Sequence, residues 1–418
     1  MMKERAVTPS AQVMLREFQS PDWLVGLLVG SIPAGLGMLL GPIVSVRSDR
    51  HRGRWGRRIP FLLATTPFVA LAMFGLAVTP SLGEWLHQTL GAKSPGLMAS
   101  RILVFSLFWT AFEIGTIVVN PIFMALCNDV VPRELIGRFF GLFRAVSLAA
   151  GIVFNFFLMG KVATHSMEIF VALGLLYGIG FGIMCLKVKE GEYPQPPPES
   201  SFRRGALLAP VMTYLRECFS TPFYLWLYAA FILGYAAASP VNTFSIFHAR
   251  SVGMSDDLYG KCLALSYTIS LLIAYPLGAL ADRFHPLRLG LLSTAVYALV
   301  MLAGFLLPGT INAFFVIFVL HTVLSGVYLT GTASLGSRLL PSAQFAQLAS
   351  AITIPMAIFF MVLPPALGTM IEVSGHQYRY SFLVGFLISI AGTIAYFVLF
   401  LRFKRLGGDQ GYVPLEVK

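Results

Sequence analysis

The sequence predicts an all-α membrane protein built from two helical bundles, and composition and the spacing of apolar runs carry that expectation. Of 418 residues, 56% are hydrophobic and only 12% are charged. A water-soluble domain carries about a quarter charged residues, so this chain cannot cover a core of its size with polar groups, and lipid must solvate much of its surface. The apolar residues fall into 11 long runs, interrupted once by a polar, proline-rich stretch.

A spanning helix needs about 20 mostly apolar residues. Runs of that length lie at 23–46, 60–80, 100–127, 138–160 and 166–187, and then at 222–247, 259–281, 287–308, 311–336, 346–372 and 379–402. Residues 1–21 hold Lys3, Glu4, Arg5, Arg16 and Glu17 and no apolar stretch, so no cleavable signal is expected. The run at 23–46 is too long for a signal core and should stay in the membrane. Between the fifth and sixth runs, residues 188–221 are polar and include the triple proline Pro196–Pro198, which holds extended backbone and cannot continue a helix. The expected organisation is an N-terminal bundle of five helices at 1–187, a linker at 188–221 with a short interfacial helix at 206–218, and a C-terminal bundle of six helices with a tail at 222–418.

The formal net charge is +11, but its distribution speaks against nucleic acid. The arginines cluster in short loops between apolar runs with no basic aromatic face, the pattern that sets membrane topology. Loop 47–58 holds Arg47, Arg50, Arg52, Arg54, Arg57 and Arg58; Arg133, Arg138, Arg203, Arg204, Arg216, Arg283, Arg288, Arg402, Lys404 and Arg405 follow on the same side. Alternate loops are poorer, with only Lys93 at 81–99, only Lys161 at 161–165 and neither residue type at 309–311. The arginine-rich face, with the C-terminus, is therefore expected in the cytoplasm, and the chain in the cell (inner) membrane. Eleven spans would then leave Lys3, Arg5 and Arg16 outside, so a preceding helix is expected to be absent from this chain. Cys127, Cys185, Cys218 and Cys262 show no pairing or metal-ligand spacing and are expected to be packing residues. The sequence has no phosphate-binding GxxxxGK[ST], no HExxH and no GxSxG, so no enzyme activity, cofactor or metal is expected, and energy for any transport would come from an ion gradient.

Landmarks recur between the halves. SVRSDRHRGRWGRR (45–58) and GALADRFHPLR (278–288) each put Asp-Arg at a helix end, followed by basic residues. VVPRELIGRFF (130–140) and LLPSAQFAQLA (339–349) follow two helices later. The intervals are 83 residues from Asp49 to Pro132 and 59 from Asp282 to Pro341, the difference lying in longer loops of the first half. Parallel repeats of this kind relate the halves by an axis along the membrane normal. The Asp-Arg-containing basic turn resembles the loop signature of the major facilitator superfamily. The string SDRHRGRWGRRIPF (48–61) resembles the glycoside/sucrose–cation symporter branch and also the PucC-type light-harvesting assembly proteins. The resemblance spans nearly the whole chain. It implies a major facilitator fold, two bundles with pseudo-twofold symmetry and about 11 visible spanning helices, the first of the usual twelve missing, working by alternating access. Ser45 departs from the glycine that usually opens the signature, and His285-Pro286 replaces Gly-Arg in the second copy.

Polar groups at bilayer depth are expensive and mark function. Glu113 sits mid-helix and shares a face with Thr110 and Asn120, at spacings of three and seven. A desolvated carboxyl there suits proton coupling. Sucrose symporters carry an acidic residue in the corresponding helix, one position away when aligned on Trp109 and Pro121. Arg144, six residues into its run, is a possible charge partner. His321, Ser325, Tyr328 and Thr332 form a second polar stripe, suited to hydroxylated ligands and, with Thr110, Asn120 and Asn242, a candidate substrate-cavity lining. Asp49, Arg50, Arg57, Arg58, Asp282 and Arg283 form a candidate cytoplasmic gate. The expected function is symport of a sugar or other small polar solute with a proton, or with sodium, by a monomer. The alternatives are a PucC-like assembly or pigment-binding factor that does not transport, and a drug or metabolite exporter.

Overall fold

The computed structural model describes residues 3–132, 135–191, 214, 216–307, 309–341 and 344–415. The triple proline, Arg203, Arg204, Arg133 and most of the expected interfacial helix lie outside the described residues. So do the side chains of Asp49, Arg50, Arg138 and Asp282. The described residues are helical, with no strand among them. The main helices are α1 (Thr8–Glu17), α2 (Ile32–Arg50), α3 (Ile59–Ala77), α4 (Thr79–Leu90), α5 (Leu97–Val130), α6 (Ile136–Phe157), α7 (Ser166–Lys187), α8 (Pro222–Ala236), α9 (Ser239–Ser251), α10 (Asp256–Phe284), α11 (Pro286–Leu306), α12 (Ile311–Gly331), α13 (Thr353–Val373) and α14 (Tyr380–Arg405). Among the described residues, 11 segments are long and apolar enough to cross a membrane, and they coincide with the 11 apolar runs. Boundaries move: α5 is 34 residues, roughly 50 Å at about 1.5 Å per residue and longer than the bilayer core requires.

The chain forms two compact units. The first is Met1–Pro197 with Ser255–Lys261 and Met361–Glu372; the second is Pro198–Met254, Cys262–Phe360 and Val373–Lys418. In the first, α3 packs on α5 and α7, and α2 and α4 pack on α5. Pro33 sits in the first turn of α2, where no backbone N–H is needed, whereas Pro67 and Pro121 lie inside α3 and α5. Residues 361–372 join this unit through a close approach that only glycine allows. A Cβ on Gly26 would stand 2.3 Å from the Pro364 carbonyl oxygen, and one on Gly30 would stand 2.5 Å from the Pro364 ring. Gly37 and Gly41 meet nothing comparable.

Residues 3–17, although they hold Lys3, Glu4, Arg5, Arg16 and Glu17 and no apolar run, fold into the first unit. A wide helical turn at Lys3–Val7 runs into α1, and Val7, Ser10, Ala11, Gln12, Val13, Met14 and Leu15 are all buried in the first unit. The turn packs on α6, and Phe18 meets Phe105 of α5 edge to face at 6.3 Å.

In the second unit, α8 and α11 pack on α14, and α11 packs on α12. Tyr224, Leu227, Tyr396 and Leu399 centre its core, to which Cys218 belongs. All four cysteines are buried and unpaired by disulfides. His285, where the second basic turn departs from the facilitator signature, has φ +64° and caps α11 by accepting the Leu287 N–H at 3.2 Å through Nδ1. That left-handed backbone is one a glycine adopts freely and histidine tolerates. Burial lowers the His285 pKa from 6.5; Asp409 opposes this, while Arg338 and Arg288 reinforce it. The unfolded chain therefore binds the proton more readily, and stability falls as pH drops through about 6.5. His285→Asn keeps both cap and backbone, and is expected to flatten the melting temperature of the purified protein between pH 8 and 5. An Asn variant that follows the wild-type profile would exclude His285 as the source.

Candidate functional site

The site of the first unit is built on α5. Phe105, Trp109, Glu113 and Thr116 recur at helical spacing and are all buried on one face. Trp109 stacks on Phe105 at 5.8 Å and donates its indole N–H to the Leu28 carbonyl at 2.8 Å. Glu113, one turn further on, has 0% exposure. Its Oε2 meets the Lys3 ammonium at 2.5 Å, while its Oε1 is buried with no hydrogen-bond partner. The same N-terminal turn is held from α6: Asn155 Nδ2 donates to the Arg5 carbonyl at 2.9 Å, and Asn155 Oδ1 is a second buried acceptor without a donor. Lys3 is 24% exposed, so the pair stands at the edge of the buried region. The cation at Glu113 is thus Lys3, not the Arg144 considered from sequence. Arg144 is half-buried and feels the positive charge of Arg5. Thr110 is half-buried and Asn120 exposed, so the polar stripe grades outward along α5 from the sealed carboxyl.

In the second unit, the stripe on α12 splits into a buried and a reachable part. His321 is fully buried, and both ring nitrogens are engaged: Nδ1 meets the Tyr297 hydroxyl at 2.6 Å and Nε2 meets Asn242 Oδ1 at 3.1 Å. An amide oxygen only accepts, so Nε2 carries the proton and Tyr297 donates to Nδ1. Tyr328 bonds Tyr396 and the Phe231 carbonyl, and Thr332 bonds the Tyr328 carbonyl. These three residues are therefore saturated from within. Asn242 is exposed and Ser325 half-buried; the Ser325 hydroxyl donates to the Thr322 carbonyl. An amide exposed within the membrane-length segment Pro222–Ser251 is costly against lipid and belongs against water.

The basic turn after α2 forms a charge network within the first unit. Arg57 donates to both oxygens of Asp129, at 2.7 and 3.2 Å, and Arg58 donates to Asp129 at 3.2 Å and to Ser48 at 2.8 Å. The Glu190 carboxylate accepts the backbone N–H groups of Arg57, Arg58 and Ile59 at 3.0, 2.8 and 2.7 Å, capping the start of α3. Gly56, at φ +97°, leaves room for it, since a Cβ there would lie 2.5 Å from the carboxyl carbon. Arg283 is exposed, with its guanidinium 5.5 Å from the Phe284 ring centre. Both Asp-Arg pairs end long helices, α2 and α10, as the repeat predicts. Among the described residues, no group of three His, Cys, Asp or Glu side chains could hold a metal ion.

Comparison with known proteins gives a family. A family model described as MFS/sugar transport protein matches residues 21–345, well over half the chain. The chain belongs to that major facilitator family. Among solved structures, a bacterial homologue of the human lysosomal transporter Spinster, inward-facing and occupied, superposes with a TM-score of 0.67 at 16% identity, over 96% of this chain and 94% of that one. The nucleoside transporter NupG gives 0.64 at 12% identity over 96% of each chain. A D-xylose–proton symporter gives 0.61 at 13% identity over 95% and 93%. At these identities the likeness is one of fold. The chain is a multi-pass membrane transporter of the facilitator type.

Sequence reasoning missed four residues of this facilitator. Asp129 and Glu190 lie just past the apolar cores of their helices, where acidic residues read as solvated ends, and they stand 72 and 133 residues along the chain from the Arg57 they meet. Tyr297 is one tyrosine among 15 and carries no signal of its own. Lys3 belongs to a segment whose charges read as extramembranous.

Proposed function

We propose that this facilitator is a proton-coupled symporter of a sugar or another small polar solute, with its arginine-rich face and C-terminus in the cytoplasm and the monomer as the working unit. The observation that carries the proposal is the sealed carboxyl of Glu113, with one oxygen on Lys3 and the other without a donor. Deprotonated, Glu113 and Lys3 form a neutral pair. Protonated, Glu113 releases Lys3, whose partial exposure gives the ammonium a route to water. Loading a proton thus replaces an internal contact, as coupling to a conformational change requires. Sodium is the less favoured coupling ion, because Lys3 already fills the cation's place. Thr110 and Asn120 in the first unit, and Asn242 and Ser325 in the second, are the members of the two polar stripes that are not fully buried, and they are offered to a solute. Tyr297 and His321 act behind Asn242, fixing the orientation of its amide, with Tyr328 and Thr332 as the packed backing of the same wall. The basic turns with Asp49, Arg50, Arg57, Arg58, Asp282 and Arg283 would gate the arginine-rich face, Asp129 holding Arg57 and Arg58 in one state.

Labelled sugars and polyols presented to proteoliposomes under an imposed inside-alkaline pH gradient are expected to accumulate, and a proton ionophore is expected to discharge them. Equal filling with and without the gradient for every solute tried would sink proton coupling. A protein that moves no solute but retains a bound pigment would point to the assembly-factor alternative.

A further inference from the structure

One cavity of this chain takes no part in the coupling site or the polar walls. It measures about 810 Å³ in the first unit and lies between the basic turn and the end of α7. Its rim carries Arg52, Arg54 and Lys189, all exposed. The acidic member, Glu190, is engaged by three backbone N–H groups, and the next two arginines along the turn are held by Asp129. Three basic side chains against the single carboxylate of Glu190 leave the described lining with a net positive charge. Trp55, 53% exposed, and Leu186, 73% exposed, complete the lining. Leu186 continues an exposed apolar strip of α7 with Ile183 and Ile179. On a membrane-length helix such a strip faces acyl chains, and tryptophan prefers the boundary between chains and headgroups.

We propose that this groove binds an anionic phospholipid of the leaflet on the arginine-rich side. Arg52, Arg54 and Lys189 hold the phosphate, Trp55 packs at the glycerol level, and the acyl chains run along Leu186, Ile183 and Ile179. A phosphodiester matches the arginines in charge and in fork geometry. Charge alone would suit a soluble anion or an acidic peptide equally. The continuity of the basic rim with the exposed α7 strip is what selects a lipid, because neither alternative covers that strip.

The test uses the full chain in phosphatidylcholine vesicles with graded phosphatidylglycerol, carrying bromine on the acyl chains of one lipid or the other. Quenching is read as the difference between wild type and Trp55→Phe. Brominated phosphatidylglycerol is expected to quench the Trp55 emission at a mole fraction about tenfold lower than brominated phosphatidylcholine. The triple variant Arg52→Ala/Arg54→Ala/Lys189→Ala is expected to erase that preference, since lysine and arginine at the membrane surface supply the attraction for anionic lipid. Arg402→Ala/Lys404→Ala/Arg405→Ala, which removes the same charge elsewhere, is expected to retain it. Equal quenching by the two lipids in wild-type protein would overturn the proposal without recourse to a variant. So would loss of the preference in the tail variant, or its displacement by millimolar inorganic phosphate, which would assign the groove to a soluble anion.

Discussion

Glu113→Gln is expected to abolish uphill, gradient-driven uptake, lowering accumulation by about a hundredfold or more to the passive background, while solute exchange across the membrane continues. Glutamine keeps the shape of the side chain and one acceptor oxygen for Lys3, but it cannot take up and release a proton. Exchange needs only that the loaded carrier reorient, and both directions carry the same permanently neutral side chain. Net accumulation needs the empty carrier to return with the group in its other protonation state. Counterflow and gradient-driven uptake measured on the same proteoliposomes separate the two. Loss of both would point to a structural role for Glu113, and loss of neither would remove it from coupling. Glu113→Asp should fall between, since one methylene fewer draws the carboxylate back from a lysine 2.5 Å away.

Lys3→Ala is expected to be the most damaging single change for stability. It strands the Glu113 carboxylate at 0% exposure, and removing one partner of a buried pair costs about 3–5 kcal/mol. The damage should be greatest at alkaline pH and shrink on acidification, when the carboxyl can be neutral. Lys3→Ala/Glu113→Gln should recover most of the loss, because no unpaired charge remains. A thermal-unfolding cycle of wild type, both single variants and the double variant over pH 5.5–8.5 measures the coupling. Simple additivity of the single effects would mean that the pair holds nothing together.

How much was legible differs from residue to residue. The 11 spans and the repeated Asp-Arg helix ends were readable, because the bilayer imposes a length and a polarity on every crossing segment and hydropathy records both directly. Glu113 was readable for the same reason, as one carboxyl in a run of apolar residues. The α12 stripe was readable as a face but not as an arrangement, since periodicity places His321, Ser325, Tyr328 and Thr332 on one side without saying which of them Tyr297, Tyr396 and Asn242 saturate.

Residues 3–17 mark the limit most clearly. They hold no apolar run, yet they fold into the first unit, because Lys3 finds a buried carboxylate 110 residues away and Asn155 takes the Arg5 carbonyl. Sequence alone determined what must be in lipid and which ionisable group is out of place there, since those follow from the local transfer of side chains from water. Only the tertiary structure decided who neutralises Glu113, who caps α3 and which polar groups stay reachable. Each of these depends on charges and hydrogen bonds between distant segments, whose energies are set by proximity and leave no periodic trace in the chain.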